Sequence, residues 1–145
     1  MTPISKMNEW LSKEKALGSM NPDRVVLATA TKEGIPHSRI VAIREISPEG
    51  VLFFTQKGTR KVYELHGNPK ASMTLWLPMQ QRQVILDGII QILTFEENIQ
   101  YWKTMLRERQ LRFSAYAPTS GKAIRSLDEI ENKYNMSKMN QPLAF

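Results

Sequence analysis

The stretch from Thr55 to Pro69 reads TQKGTRKVYELHGNP, setting Lys57, Arg60 and Lys61 around Gly58 with the hydroxyls of Thr55 and Thr59 beside them. It follows the apolar run VLFF of residues 51–54 and leads into a helical pattern, so the cations sit at a strand-to-helix junction. A helix start offers unsatisfied N–H groups and the positive end of a dipole, and a phosphate is the natural guest there. Solvated loops have the same composition, so this stretch alone leaves both readings open. Three further clusters place polar side chains at unusual points. RIVAIR, residues 39–44, opens and closes an apolar run with arginine. Arg39 and Arg44 are five apart and fall on opposite faces of a regular strand, either as ligand contacts or as edge cations reaching for water. RQV, residues 82–84, puts Gln83 at the head of an apolar strand, where a half-buried carboxamide must find partners. A flat heterocycle with alternating N–H and C=O edges would supply them, and so would a neighbouring loop. TSGK, residues 119–122, lacks the upstream glycine of a P-loop, which excludes a nucleoside triphosphate site.

Other chemistries drop out by composition. The chain has no cysteine, which removes disulfides, thiolate catalysis and cysteine–metal sites together. His37 and His66 lie far apart without ligand spacing, so no metal site is expected. Neither a Ser–His–Asp set nor a pair of carboxylates at catalytic spacing can be assembled. An enzyme built from these residues would draw its reactivity from a cofactor. The net charge of +6 suits an anionic partner, but Lys and Arg are scattered over every segment with no basic–aromatic stripe. That pattern argues against nucleic acid, and the excess charge by itself discriminates only weakly among anionic partners such as a membrane surface or a phosphorylated small molecule. The N-terminal residues are too charged for a signal peptide, and no apolar run approaches the length of a membrane span, so the reading is a cytoplasmic protein without a membrane partner.

The elements that must position these clusters follow from periodicity. With 41% hydrophobic and 23% charged residues the chain has the proportions of an ordinary globular domain, and its 145 residues are read as a single one. Residues 1–18 form an N-terminal helix started at Thr2-Pro3 and ended by Gly18. Residues 24–94 supply the strands, at 25–31, 38–46, 51–55, 71–77 and 82–94, with turns at Lys32-Glu33-Gly34 and Ser47-Pro48-Glu49-Gly50. Residues 61–66 are a short helix closed by Gly67 and Asn68 in left-handed cap positions. The hairpin spacing argues for antiparallel neighbours. In 82–94, Val84, Leu86, Ile90 and Ile92 face one way and Ile85, Ile89 and Leu93 the other, which asks for a barrel interior on one side and a helix or second subunit on the other. Gly88 is expected to mark a bulge or bend. Residues 95–136 are a helical region, with one helix over 95–112 and another over 126–136 that starts at a Ser126/Glu129 capping box. The expected fold is mainly β: a small antiparallel barrel with peripheral helices.

In order and spacing the four clusters resemble the pyridoxamine 5′-phosphate oxidase family, the FMN-binding split barrels. The similarity runs through RIVAIR, FFTQKGTRK, NPKASMTLW, RQV and YW to the closing LDEIENKY, about residues 20 to 140. It implies that Arg39 belongs to the flavin-site strand and that the backbone of Ile40, Val41, Ala42 and Ile43 lines the isoalloxazine ring. It also implies that Phe54 and Thr55 flank the flavin, and that Arg60 and Lys61 bind the FMN phosphate with Thr59 assisting. Gln83 then contacts the flavin ring, and Ser120, with Thr119, reaches the cofactor from a partner subunit. Family members are homodimers with FMN at the interface, and they transfer a hydride between a small substrate and flavin N5.

The departures are as informative. Arg44 stands where the family has a lysine that contacts flavin and substrate. Tyr101 matches the tyrosine that holds substrate phosphate, but Met105 and Arg109 replace the arginine and serine that complete that pocket. The family's W-G-G-[FY] and R-L-H segments would follow Phe145. The resemblance therefore implies an FMN-dependent oxidoreductase acting on an unidentified small molecule, with weak or absent activity on the vitamin B6 phosphates. A genuine but weak B6-phosphate oxidase, or a flavin carrier or sensor without turnover, are the alternatives.

Overall fold

In the computed structural model of the protein, residues 1–116, 123 and 125–139 are described. They fall into two compact units. One holds Met1–Phe54 and Gly67–Ile90, and the other holds Thr55–His66 and the chain from Gln91 onward.

The first unit is a helix and a sheet. Helix α1 (Pro3–Ala16) starts where Thr2 caps the N–H of Ser5 and Pro3 takes the first turn, a position that needs no N–H. It ends in a two-bond cap: Gly18 N–H donates to Lys15 O (3.1 Å) and Ser19 N–H to Glu14 O (3.3 Å), with Gly18 at φ +88°. Strands β1 (Arg24–Ala30), β2 (Pro36–Ser47), β3 (Gly50–Phe53), β4 (Lys70–Leu77) and β5 (Arg82–Ile89) form one five-stranded antiparallel sheet of order β3-β2-β1-β4-β5. Alternation sorts its two faces. Val25, Leu27, Val41, Ile43, Met73, Leu75 and Leu77 point to the core, where Met7 of α1 joins them and Trp10, Leu11, Val84 and Leu86 pack at the margin. Between them Val26, Ile40, Trp76 and Ile85 point outward and are exposed.

Three sequence expectations change here. The last strand stops at Ile89, opposite Lys70 where β4 begins, rather than continuing to residue 94, and Thr94 caps the next helix. Gly88 marks no bulge: β4 and β5 stay in continuous register from Lys70↔Ile89 to Leu77↔Arg82. The bulge lies in β2 instead, where Ile43 faces Phe53 and Glu45 faces Leu52, leaving Arg44 as the extra residue. Gly67 is not in a left-handed cap either. A Cβ there would meet the exposed Lys32 side chain at 3.0 Å, so a substitution would have to push that lysine aside. Asn68 instead ties the segment to the β1–β2 hairpin, donating to Thr31 O (3.3 Å) and accepting from Lys70 N–H (3.3 Å).

The second unit is helical. It carries α2 (Arg60–Gly67, with Gly67 itself in the first unit), α3 (Phe95–Thr104), α4 (Arg107–Tyr116) and α5 (Leu127–Met139). α3 opens on a full capping box: Thr94 Oγ1 accepts from Glu97 N–H (3.2 Å) and Glu97 accepts from Thr94 N–H (2.8 Å). The single helix expected over 95–112 breaks at Met105, whose ψ of 137° is extended. α4 and α5 pack on each other, and Leu111 is buried. The box expected at Ser126 is displaced by one residue, with Glu129 accepting from Arg125 N–H (3.1 Å). Among the described residues no helix is long and apolar enough to cross a membrane.

Candidate functional site

The turn into α2 is built from its own side chains. Gly58 takes φ +84° and lets the chain reverse after Lys57. Thr59, almost wholly buried, stands before the first helical residue. Its hydroxyl donates to Gln56 O (3.0 Å) and lies 3.4 Å from the hydroxyl of Thr55. Thr59 O accepts from Tyr63 N–H (3.1 Å), the first turn of the helix. Arg60 and Lys61 follow at once, and no acidic residue occupies the first turn. That charge pattern runs against the helix dipole, which favours anions at this end. The contrast is α3 of the same unit, with Glu96 and Glu97 in its first turn. An anion at the start of α2 would reverse the penalty, and Arg60 and Lys61 are the donors for it. The carboxamide oxygen of Gln56 is buried in this turn without a hydrogen-bond partner. It lacks a donor, and the ribityl hydroxyls of FMN are donors, so the turn fits phosphate and polyol together.

The sheet separates the remaining candidates by face. Val41 is buried in the core, so only its backbone is available to a ligand, whereas Ile40 and Arg44 are exposed and Ala42 half-buried on the other side. Arg39 shares the side of Val41 and Ile43. Its guanidinium donates to Thr29 Oγ1 (2.7 Å), Leu27 O (3.2 Å) and His37 O (3.4 Å), closing one end of the core against β1. Gln83 is exposed, not half-buried as its place in the apolar strand suggested, because β5 is an edge strand and Gln83 lies on its outer side. Phe54, half-buried, is the last residue of the sheet unit, and Thr55 is the first of the helical one.

The structure therefore groups Ile40, Ala42 and Gln83 on the outer side of the sheet, and Thr55, Thr59, Arg60 and Lys61 in the turn. Tyr101 is half-buried on α3, and Met105 ends that helix, so Tyr101 and Arg109 belong to different helices. Thr119 and Ser120 lie outside the described residues. Sequence reasoning passed over Gln56, whose burial has no local signal. It also passed over Trp76, although the alternation of Met73, Leu75 and Leu77 already turns that indole outward.

The sequence profile of the family described as Pyridoxamine 5′-phosphate oxidase matches residues 12–133. The chain belongs to the pyridoxamine 5′-phosphate oxidase family. A family relative from Vibrio vulnificus (strain YJ016), a pyridoxine/pyridoxamine 5′-phosphate oxidase, is 32% identical over 133 residues, covering 91% of this chain and 62% of the relative. The chain thus spans about three fifths of the length of such relatives. Among solved structures, PhzG from Burkholderia lata 383, in complex with tetrahydrophenazine-1-carboxylic acid, superposes with a TM-score of 0.82 at 25% identity, over 92% of this chain and 65% of that one. A pyridoxamine 5′-phosphate oxidase-related, FMN binding protein from Nostoc punctiforme PCC 73102 has a TM-score of 0.69 at 20% identity, over 90% of this chain and 72% of that one, and shares the fold. The sheet and its helices are the split barrel of the pyridoxamine 5′-phosphate oxidase family.

Proposed function

We propose that this protein binds FMN and works as a flavin-dependent oxidoreductase on a small molecule other than the vitamin B6 phosphates. The observation that carries the proposal is the start of α2, where Arg60 and Lys61 oppose the helix dipole beside the paired hydroxyls of Thr55 and Thr59. In this reading the turn holds the FMN phosphate. The backbone of Ile40 to Ile43, with Phe54 and Gln83, surrounds the ring, Ser120 is assigned to the cofactor from the partner subunit, and Arg44 faces ring or substrate. FMN, when bound, supplies two-electron chemistry at its ring. The chain's part is to bind and orient it and to keep its phosphate charge neutralised. We also propose a homodimer with the cofactor at the interface, which gives the exposed Val26, Ile40 and Ile85 of the outer sheet face a partner.

The substrate half rests on unit two. Tyr101 keeps the family's phosphate-pocket identity, but Met105 offers no hydrogen bond to a phosphate, and each charged hydrogen bond lost costs about 1.5–3 kcal/mol. Arg109 can still meet a carboxylate. PhzG, with its tetrahydrophenazine carboxylic acid, is a precedent for such a molecule on this fold.

Purified protein is expected to be yellow and to release FMN on denaturation. The Arg60→Ala/Lys61→Ala double variant is expected to lose the flavin and keep the circular dichroism of the wild type. Full FMN occupancy in that variant would show that the phosphate lies elsewhere. Turnover of pyridoxamine 5′-phosphate at a physiological rate would overturn the substrate half. Bound flavin that no reductant and no candidate substrate reduces would make the protein a carrier.

A further inference from the structure

The sheet ends on β3 at one side and β5 at the other, and the two edges differ. β3 is four residues long and lies beside the bulge at Arg44, two features that discourage a further strand. β5 is eight residues long and keeps continuous register with β4 throughout. It contains neither proline nor lysine, and its charges are Arg82 at the start and Asp87.

One bond shows which backbone groups of β5 point away from β4. Ile90 N–H donates to Pro69 O (2.8 Å), one step beyond the Lys70↔Ile89 pair. Bonded residues alternate in an antiparallel ladder, so Arg82, Val84, Leu86 and Gly88 bond to β4. Gln83, Ile85, Asp87 and Ile89 turn their N–H and C=O groups outward. Among the described residues no strand pairs with that edge, and all four residues are exposed. Such a row of backbone donors and acceptors is a template for another strand.

A second copy of β5 fits the template in one register. Antiparallel pairing about a two-fold axis sets outward-turned residues opposite one another. Centring it on Asp87 faces two carboxylates, and like charges directly opposite repel. Centring it on Val84 or Leu86 sets polar Gln83 or Asp87 against isoleucine. Centred on Ile85, every pair matches. Ile85 meets its own copy, the Gln83 amide donates to the partner's Asp87, and Val84 lies beside the partner's Leu86. Arg82, whose guanidinium lies 4.5 Å from the centre of the Trp10 ring, has the partner's Gly88 opposite, with no side chain to disturb that stack.

We propose that two copies of this chain join edge to edge through β5, so that one antiparallel sheet runs through both. The contact uses the backbone edge and not the outer sheet face assigned above to the FMN dimer. The Gln83 carbonyl oxygen stays available to the cofactor, and both contacts together make a dimer of dimers. The inference is independent of flavin.

The test is amide exchange of the wild type, read residue by residue in dilute and in concentrated protein. The amides of Gln83, Ile85 and Asp87 are expected to exchange freely when dilute and to gain protection on concentration. Asp87→Pro removes an outward N–H and no bond to β4, a place where an edge strand accepts proline. It is expected to halve the mass of the assembly in the ultracentrifuge and to abolish the protection at Ile85. Because the chain has no cysteine, engineered thiols report the register. Ile85→Cys is expected to form a disulfide dimer on oxidation, and Asp87→Cys, which faces Gln83, is expected to form none. If Asp87→Pro does not fold, the exchange and disulfide results decide. Free exchange of these amides at every concentration overturns the inference. Protection that is the same in dilute protein assigns the edge to the chain's own residues and also overturns it. Cross-linking of Asp87→Cys without Ile85→Cys refutes the two-fold at Ile85. In each case the FMN reading stands.

Discussion

Gly58 carries the backbone reversal before α2 at φ +84°, and nothing lies within 4 Å of the place a Cβ would occupy. Substitution there is thus a test of backbone strain free of packing. Gly58→Ala is expected to destabilise the protein by about 1–2 kcal/mol, the cost of a left-handed alanine, measured by urea unfolding. FMN affinity should fall with it, because Thr59, Arg60 and Lys61 hang on that turn. The helix start itself was legible because its signal is local, glycine, hydroxyl and two cations within four positions, but that grouping alone left an anion site and a solvated loop both open. Gln83 is named for the flavin ring by the family resemblance alone, and its exposure was not legible. An apolar strand reads the same whether it is central or at an edge, and only the strand order decides that Gln83 is exposed. Gln56 was not legible, since its orphaned oxygen depends on how the turn folds over it.

Between elements, Glu14 is the contact with the largest consequence. Its carboxylate on α1 is buried and accepts from Met79 N–H (2.8 Å) and Gln80 Nε2 (3.0 Å), while the same Gln80 nitrogen donates to Trp10 O (2.7 Å). The helix is thereby fastened to the β4–β5 turn. Burial alone would push the Glu14 carboxyl up, but the hydrogen bonds from Met79, Gln80 and Ser19 outweigh it and hold it below the ordinary value. A carboxyl lowered in the folded state stabilises the fold above its unfolded pKa, about 4.3, and that stabilisation fades as pH falls through the lower folded value. Glu14→Gln is expected to lower the urea midpoint at about pH 7 and to converge on the wild type near pH 3 or below. A gap between the two proteins that persists undiminished into acid would refute the assignment. Helix α1 itself was readable from Thr2, Pro3 and Gly18, which are neighbours in the chain. Its clamp was not, because residues 14 and 80 meet only in the folded sheet. The end of β5 was readable in principle: Thr94 and Glu97 are a T-x-x-E signature, obscured because Thr94 also continues a β-rich run. The split of α3 from α4 has no proline or glycine to announce it.

At the scale of the whole molecule, the proposed cofactor links function to stability. A ligand present at 100 times its dissociation constant adds about 2.7 kcal/mol to a fold that only the native state can offer it. For a chain of this size that is roughly 10 °C in Tm. Added FMN is expected to raise the Tm of flavin-free protein by about that much and to leave Arg60→Ala/Lys61→Ala unmoved, a difference read by scanning calorimetry. An equal shift in both would place the phosphate away from α2. The strand order carries a different consequence, for the chain as it is made. The first strand synthesised, β1, lies at the middle of the sheet, with β2 on one side and β4 on the other. A nascent chain can zip β1, β2 and β3 together as they emerge, yet β1 keeps an open flank until residues 70–77 have left the ribosome. Through that interval Val25 and Leu27, core residues of the finished protein, border an unpaired backbone edge. The delay between the third strand and the fourth is the stretch that encodes TQKGTRKVYELHGNP. The same residues that are proposed to hold a phosphate also set how long the growing sheet stays sticky.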